Sequence, residues 1–295
     1  MHNLNNNGND PRPQCSGNPR AVRVLMYHRI VESRDLSASH WTCVHADDFR
    51  KQVKLLDRWG FTAITFNDYR LFLRGELSLP RKPVILTFDD GYLDTYTTAF
   101  PVLQEFGLKG VLFVLADEKV RTNLWDRHLR LPEAPLMERR HILEMHEAGF
   151  EIGSHSMTHE KLTALTGDRV WEETSRSRIL LEILLNAPVL TFSYPYGSAT
   201  RMIKEIVSAA GYSIACSVAT GPAAFGDDPY EIRRTAVLNT TGTRGFALRM
   251  LTPYQYYSWA RWKAEATLRG VPSNGHGRPQ SMDRLEPEET ERIDA

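Results

Sequence analysis

Apolar and polar positions along this chain switch between two rhythms. Short runs of apolar, often β-branched residues read as buried strands, and segments with apolar residues at helical spacing lie between them. Val22 to Tyr27 is the first such run, with His28 and Arg29 at its end. Phe49, Val53, Leu56 and Trp59 then recur at helical spacing behind Asp47-Asp48, and Gly60 stops that helix. Phe61 to Phe66 reads as a second strand, with Asn67 or Asp68 capping a short helix through Leu73. Val84 to Phe88 is the third strand, and it stops at Asp89-Asp90-Gly91. A helix over Thr95 to Phe106 and a strand over Gly110 to Leu115 follow.

Residues 116–136 break the rhythm as an irregular insertion that contains Trp125-Asp126-Arg127-His128 and either lines a substrate groove or is a surface loop. Met137 to Ala148 reads as a helix, Phe150 to Gly153 as a short strand, and Asp168 to Leu185 as a long helix. Val189 to Phe192 is a strand, Thr200 to Ala210 a helix, Ser213 to Ser217 a strand, and Glu231-Ile232-Arg233 the last strand. Strands alternating with helices predict a parallel sheet. It either closes into a barrel of about seven βα units or stays open and doubly wound. No Gly-x-Gly-x-x-Gly opens a helix, so nothing points to a dinucleotide.

Composition narrows this further. The 295 residues, 42% of them hydrophobic, suffice for one large core. Thirty-six basic residues balance 36 acidic ones without a basic block, so no nucleic-acid partner is expected. Cys15, Cys43 and Cys216 are odd in number and far apart, which suggests neither a disulfide framework nor a thiolate metal site. No apolar run approaches the roughly 18 residues of a membrane-spanning helix. Residues 1–20 are rich in Asn, Gly and Pro without an apolar core, and read as a disordered tail rather than a secretory signal. Residues 271–295 are polar and charged and read as a second tail. The expected organisation is one domain over 21–270, in the cytoplasm or at the cytoplasmic face of the membrane.

Four polar clusters each follow a predicted strand: His28, Asp89-Asp90, His155 with His159, and Pro195-Tyr196-Gly197. In a parallel barrel, residues just past the strands' carboxyl ends converge on one face. Neighbouring Asp89 and Asp90 cannot share one face of a continuing strand, but at its end Gly91 lets the backbone turn and both can reach one pocket. One carboxylate can then hold a cation while the other handles a proton. His155 and His159 are four apart, so a helical segment would put both imidazoles on one side; the alternative is a helix start with two incidental histidines. Two histidines with Asp90 as third ligand leave open positions for water, the donor set of a catalytic site. Zinc fits these donors; cobalt, nickel and iron suit them too.

Thr87-Phe88-Asp89-Asp90-Gly91-Tyr92, His155-Ser156-Met157-Thr158-His159 and Tyr194-Pro195-Tyr196-Gly197 resemble, in order, the first three motifs of the polysaccharide deacetylases, the NodB-homology enzymes of carbohydrate esterase family 4. Leu25-Met26-Tyr27-His28-Arg29-Ile30 resembles the branch that deacetylates poly-N-acetylglucosamine-type exopolysaccharides. The resemblance covers roughly Arg23 to Val237 and implies a single-domain α/β fold, a distorted (β/α)7 barrel. It implies Asp90, His155 and His159 as metal ligands, Asp89 as general base and the Tyr196 N–H as oxyanion donor. Many members carry an Arg before Pro-Tyr-Gly, where Ser193-Tyr194 stand here; Arg234 or Arg233 is the expected substitute partner of Asp89. The family's late histidine is missing, since none occurs between His159 and His276, and His28 is the expected replacement as general acid. The implied activity is removal of N-acetyl groups from N-acetylhexosamine units of a polysaccharide or its lipid-linked precursor. An O-acetyl esterase on the same site and a non-catalytic glycan-binding descendant are the alternatives. Finally, the aromatic and basic segment 246–268 either packs onto the barrel, stacks on sugar, or touches a membrane surface.

Overall fold

A computed structural model describes residues 22–129, 131–218 and 228–268. The tails expected at 1–20 and 271–295, and Cys15, lie outside the described residues. The chain opens with β1 (Arg23–Tyr27), β2 (Arg29–Val31), α1 (Arg34–Ser39), β3 (Cys43–His45) and α2 (Ala46–Arg58). It continues with β4 (Thr62–Ala63), α3 (Phe66–Leu73), β5 (Pro83–Phe88), α4 (Phe100–Glu105) and β6 (Val111–Val114). Then come α5 (Arg139–Glu147), β7 (Glu151–Ser154), α6 (Gly167–Leu185), β8 (Thr191–Ser193) and α7 (Arg201–Ala209). The last elements are β9 (Ile214–Cys216), β10 (Thr235–Ala236), α8 (Thr243–Leu251) and α9 (Tyr254–Leu268).

Eight strands form one sheet in the order β10-β1-β5-β6-β7-β8-β9, with β4 added to β5, and every pairing is parallel. The sheet curls into the expected distorted barrel. Its seam is closed by the segment before β10, where the Ser217 N–H donates to the Ile232 carbonyl at 3.0 Å and the Ile232 N–H to the Ala215 carbonyl at 2.9 Å. A continuous last strand over Glu231–Arg233 was expected. Instead Ile232 pairs with β9 and Thr235 with β1, so the paired length is split between two neighbours.

Strand residues alternate between two cores, as the period of two requires. Leu25, Tyr27, Val84, Leu86, Phe88, Leu112 and Val114 face outward onto the surrounding helices. Val22, Val24, Ile85, Val111, Phe113, Ile214 and Cys216 fill the interior, together with Phe66, Tyr69 and Phe72 of α3. Helix α3 therefore plugs the bottom of the barrel. It begins earlier than Asn67 or Asp68 because Thr65 caps it: Asp68 N–H donates to Thr65 Oγ1 at 3.1 Å and Thr65 N–H to Asp68 Oδ2 at 2.8 Å. Only Thr62–Ala63 of the predicted Phe61–Phe66 strand pairs with β5, since that cap claims the rest.

Continuing the interior register past the strand ends decides the site. On β1 it runs Val24, Met26, His28; on β5, Ile85, Thr87, Asp89; on β7, Gly153, His155; on β8, Thr191, Ser193. These polar residues lie at the carboxyl ends of neighbouring strands, where an α/β barrel keeps its chemistry.

Candidate active site

Asp89 is the last inward position of β5, and its carboxylate is 2% exposed. Burying a charge there is tolerable only with a partner, and Arg234, fully buried in the barrel, supplies one. Its Nη1 donates to Asp89 Oδ1 at 2.7 Å and its Nη2 to Oδ2 at 2.7 Å, a bidentate pair. The other donors of the guanidinium are used as well: Nε to the Ser217 carbonyl at 3.1 Å, Nη1 to Thr87 Oγ1 at 3.0 Å, and Nη2 to Ser193 Oγ at 3.0 Å. All five N–H groups are thus spoken for. Ser193 Oγ also approaches Asp89 Oδ2 at 3.3 Å. Burial would raise the Asp89 carboxyl, but the charge and hydrogen bonds of Arg234 outweigh it and hold the carboxyl below its ordinary value. Among the described residues, Oδ1 accepts from Arg234 alone and keeps a lone pair for another proton.

The chain must turn sharply after Asp89. Asp90 has φ of 72° and Gly91 follows at the same angle, so two consecutive left-handed residues swing the second carboxylate away from the Arg234 pair. Its Oδ1 lies 3.0 Å from His155 Nε2 and 3.3 Å from His159 Nε2. One ligand atom from each of these three buried residues lies within 4.8 Å of the others. His155 Nδ1 sits 2.8 Å from the Ser193 carbonyl. A carbonyl only accepts, so Nδ1 carries the hydrogen and Nε2 presents its lone pair to Asp90. Two lone-pair donors 3.0 Å apart repel unless a positive charge lies between them, so the donor set fits a divalent cation.

The segment joining the two histidines is not helical. Ser156 and His159 have φ of 69° and 67°, and the loop is tied from beneath. Glu173 of α6, 2% exposed, accepts the Met157 and Thr158 N–H groups at 3.0 Å each and the Thr158 hydroxyl at 2.9 Å. Ser154 Oγ accepts the Ser156 N–H, and Ser156 Oγ accepts the His159 N–H, both at 3.2 Å. A loop can bring both imidazoles to one point because these bonds replace a helical ladder. At the third motif Tyr196 is again left-handed, with φ of 59°. Gly197 is confined because a Cβ there would come within 2.1 Å of Val218 Cγ2. Strained φ values at all three motifs are the signature of a site held in a working geometry.

Residues 77–215 match the family model described as polysaccharide deacetylase. Over that stretch the chain is similar to the polysaccharide deacetylases. YxkH of Bacillus subtilis, whose own name assigns it to the same family, is 27% identical over 219 residues, covering 74% of this chain and 72% of that protein. The poly-beta-1,6-N-acetyl-D-glucosamine N-deacetylase of Escherichia coli K12 is 26% identical over 264 residues, which covers 78% of this chain and 38% of that enzyme. The chain therefore spans well under half the length of that relative. The Streptococcus pyogenes deacetylase PplD, solved with acetate, superposes with a TM-score of 0.68 at 23% identity, covering 78% of this chain and 97% of that one. That likeness is one of fold.

Of the residues expected at the site, Asp89, Asp90, His155, His159 and Arg234 come together. Arg233 does not join them; its guanidinium lies over Trp259 at 5.6 Å. His28 is half-buried at the end of β1, beside Trp41 at 5.4 Å. The backbone around it is clamped: Thr95 Oγ1 donates to the His28 carbonyl at 3.4 Å, and Asp94 accepts from Arg29 Nε at 2.8 Å and from the Ile30 N–H at 3.2 Å. Tyr196 is 42% exposed with its ring 4.9 Å from His159. Burial, with the charges of Asp126 and Asp90, pushes its phenol up to about 12, so it stays a hydroxyl.

Glu173 is not singled out by the sequence, whereas the insertion with Trp125 to His128 is expected either to line a substrate groove or to be a surface loop. Trp125 stacks on His159 at 4.2 Å, bringing the irregular insertion to the rim of the site. Asp126 beside it accepts the Tyr92 hydroxyl at 3.0 Å. The side chain of His128 lies outside the described residues.

Proposed function

We propose that the domain is a metal-dependent hydrolase that removes N-acetyl groups from N-acetylhexosamine units of a polysaccharide or its lipid-linked precursor. The observation that carries this reading is the pairing of two buried carboxylates with separate partners: Asp90 with His155 and His159, Asp89 with Arg234. The similarity to an Escherichia coli N-deacetylase supports the choice of an amide substrate.

Asp90, His155 and His159 would hold the metal, with zinc the preferred ion for two imidazoles and a carboxylate. A divalent cation there supplies Lewis acidity, polarising an amide carbonyl and lowering the pKa of water. The protein's own groups divide the remaining work. Asp89, aimed by Arg234, takes the proton of the attacking water at Oδ1. The Tyr196 backbone N–H, turned by its left-handed conformation, donates to the oxyanion as the carbonyl becomes tetrahedral; one such donor is typically worth about 10²–10³ in rate. His28 donates a proton to the departing amine, which leaves as a neutral species. Trp125 and Tyr196, both in contact with the His159 ring, offer aromatic surface to the sugar ring.

Bound-metal stoichiometry of His155→Ala and His159→Ala, together with rates on matched N-acetyl and O-acetyl sugars, tests the reading. Both variants should lose metal and turnover, and the native protein should release acetate from the amide. Full metal content in either variant would remove that histidine from the ligand set. Release from the ester alone would replace the N-deacetylase with an esterase.

A further inference from the structure

Helices α8 and α9 are not used by the chemistry above. Their inward residues pack: Phe246 and Met250 are buried, Phe246 stacks on Trp59 at 6.3 Å, and Arg249 lies over Tyr254 at 5.0 Å. Their outward residues are unusual for a helix pair facing water, where charged side chains of both signs are the rule. Helix α8 exposes Arg244, Leu248 and Leu251 at helical spacing, and α9 exposes Tyr256 and Tyr257. Leu251 is 50% exposed and Tyr257 68%. The charge pattern is one-sided too. In sequence no acidic residue stands between Glu231 and Glu265, and of the arginines in that stretch Arg244 and Arg261 are exposed, while Arg234 is buried against Asp89.

The position of this surface adds a constraint. Arg23, the first residue of β1, donates to the Thr252 carbonyl at 3.5 Å, so the turn between α8 and α9 lies at the amino-terminal end of the barrel strands. Asp89, His155 and Ser193 lie at their carboxyl ends. Anything bound at the turn leaves the mouth of the site open.

We propose that the α8–α9 turn docks the protein on an anionic lipid bilayer. Leu251, Tyr256 and Tyr257 enter the headgroup region, and the neighbouring arginines face the lipid phosphates. Exposed aliphatic and aromatic side chains beside Arg244 and Arg261 are complementary to a negatively charged surface over an apolar interior. A flat glycan would use the tyrosines but not the leucines, and a second copy of the same surface would set arginine against arginine. The proposal is independent of the catalytic reading, because binding is read without turnover.

The test is sedimentation of the full chain with phosphatidylcholine vesicles, with and without about 30% phosphatidylglycerol, at low and high salt. The chain should pellet with the anionic vesicles, and salt should weaken it. The double variant Leu251→Glu, Tyr257→Glu should bind roughly tenfold more weakly at an unchanged melting temperature and zinc content. Absence from the anionic vesicles would overturn the proposal, as would equal binding by the double variant. If the variant instead lost affinity for an N-acetylglucosamine oligomer or fell from dimer to monomer, with no lipid effect, the surface would belong to glycan or to self-association.

Discussion

Arg234 shows how much one side chain settles at this site. With all five donors used and no exposure, it cannot be exchanged for a residue of similar charge. Arg234→Met should cost about 3–5 kcal/mol, because it leaves Asp89 buried and unpaired. The pH dependence of that loss has a definite sign. The pair depresses the folded-state pKa of Asp89. Its stabilisation is therefore full above the ordinary carboxylate pKa of about 4 and disappears as pH falls through the lower folded value. Thermal melts should show the gap between variant and parent narrowing in acid. An equal gap at pH 3 and pH 7 would mean that the loss is one of packing. Asp89→Asn should keep bound metal and lose turnover; metal loss would mean that the two aspartates have exchanged roles.

Residue types and spacing made Asp90, His155 and His159 legible, since few other purposes bring two imidazoles and an Asp-Asp-Gly to the ends of neighbouring strands. Arg234 could be reached only by asking what balances Asp89 where an arginine is missing before Pro195. Glu173 carried a signal that was passed over. It lies on the buried stripe of α6 with Val170, Thr174, Ser177 and Leu181, where a carboxylate needs an explanation.

At the scale of elements, strands such as β5 and helices such as α2 followed from apolar runs and helical spacing long enough to read. The segments β2, α1 and β3 span three to six residues, too few to establish one, and were not anticipated. The loop carrying the two histidines has no periodicity at all. Its shape comes from Glu173 and two serine hydroxyls, interactions that join residues far apart in sequence. Glu173→Ala should therefore lower metal affinity about 10–100-fold while leaving all three ligands present, as support around a ligand usually does. Competition with a chromogenic chelator measures this, and unchanged affinity would mean the loop holds itself. Gly197→Ala should destabilise by at least about 1 kcal/mol in denaturant unfolding, because both its φ of 71° and the approach of Val218 oppose a side chain. A neutral result would show that the third motif can relax.

For the whole molecule, the closed interior register matters most. Eight parallel strands aim His28, Asp89, His155 and Ser193 at one mouth, and the segment that closes the seam carries Arg234 to the same place. Closure of the barrel and pairing of Asp89 thus depend on one segment, 232–234. Among the described residues no helix is long and apolar enough to cross a membrane. The most direct test of the account is acetate release from an N-acetylglucosamine oligomer by chelator-treated protein, with and without added zinc, beside Asp89→Asn. Release that depends on zinc and vanishes in the variant is the predicted result. Release without metal, or unchanged release by Asp89→Asn, would contradict it.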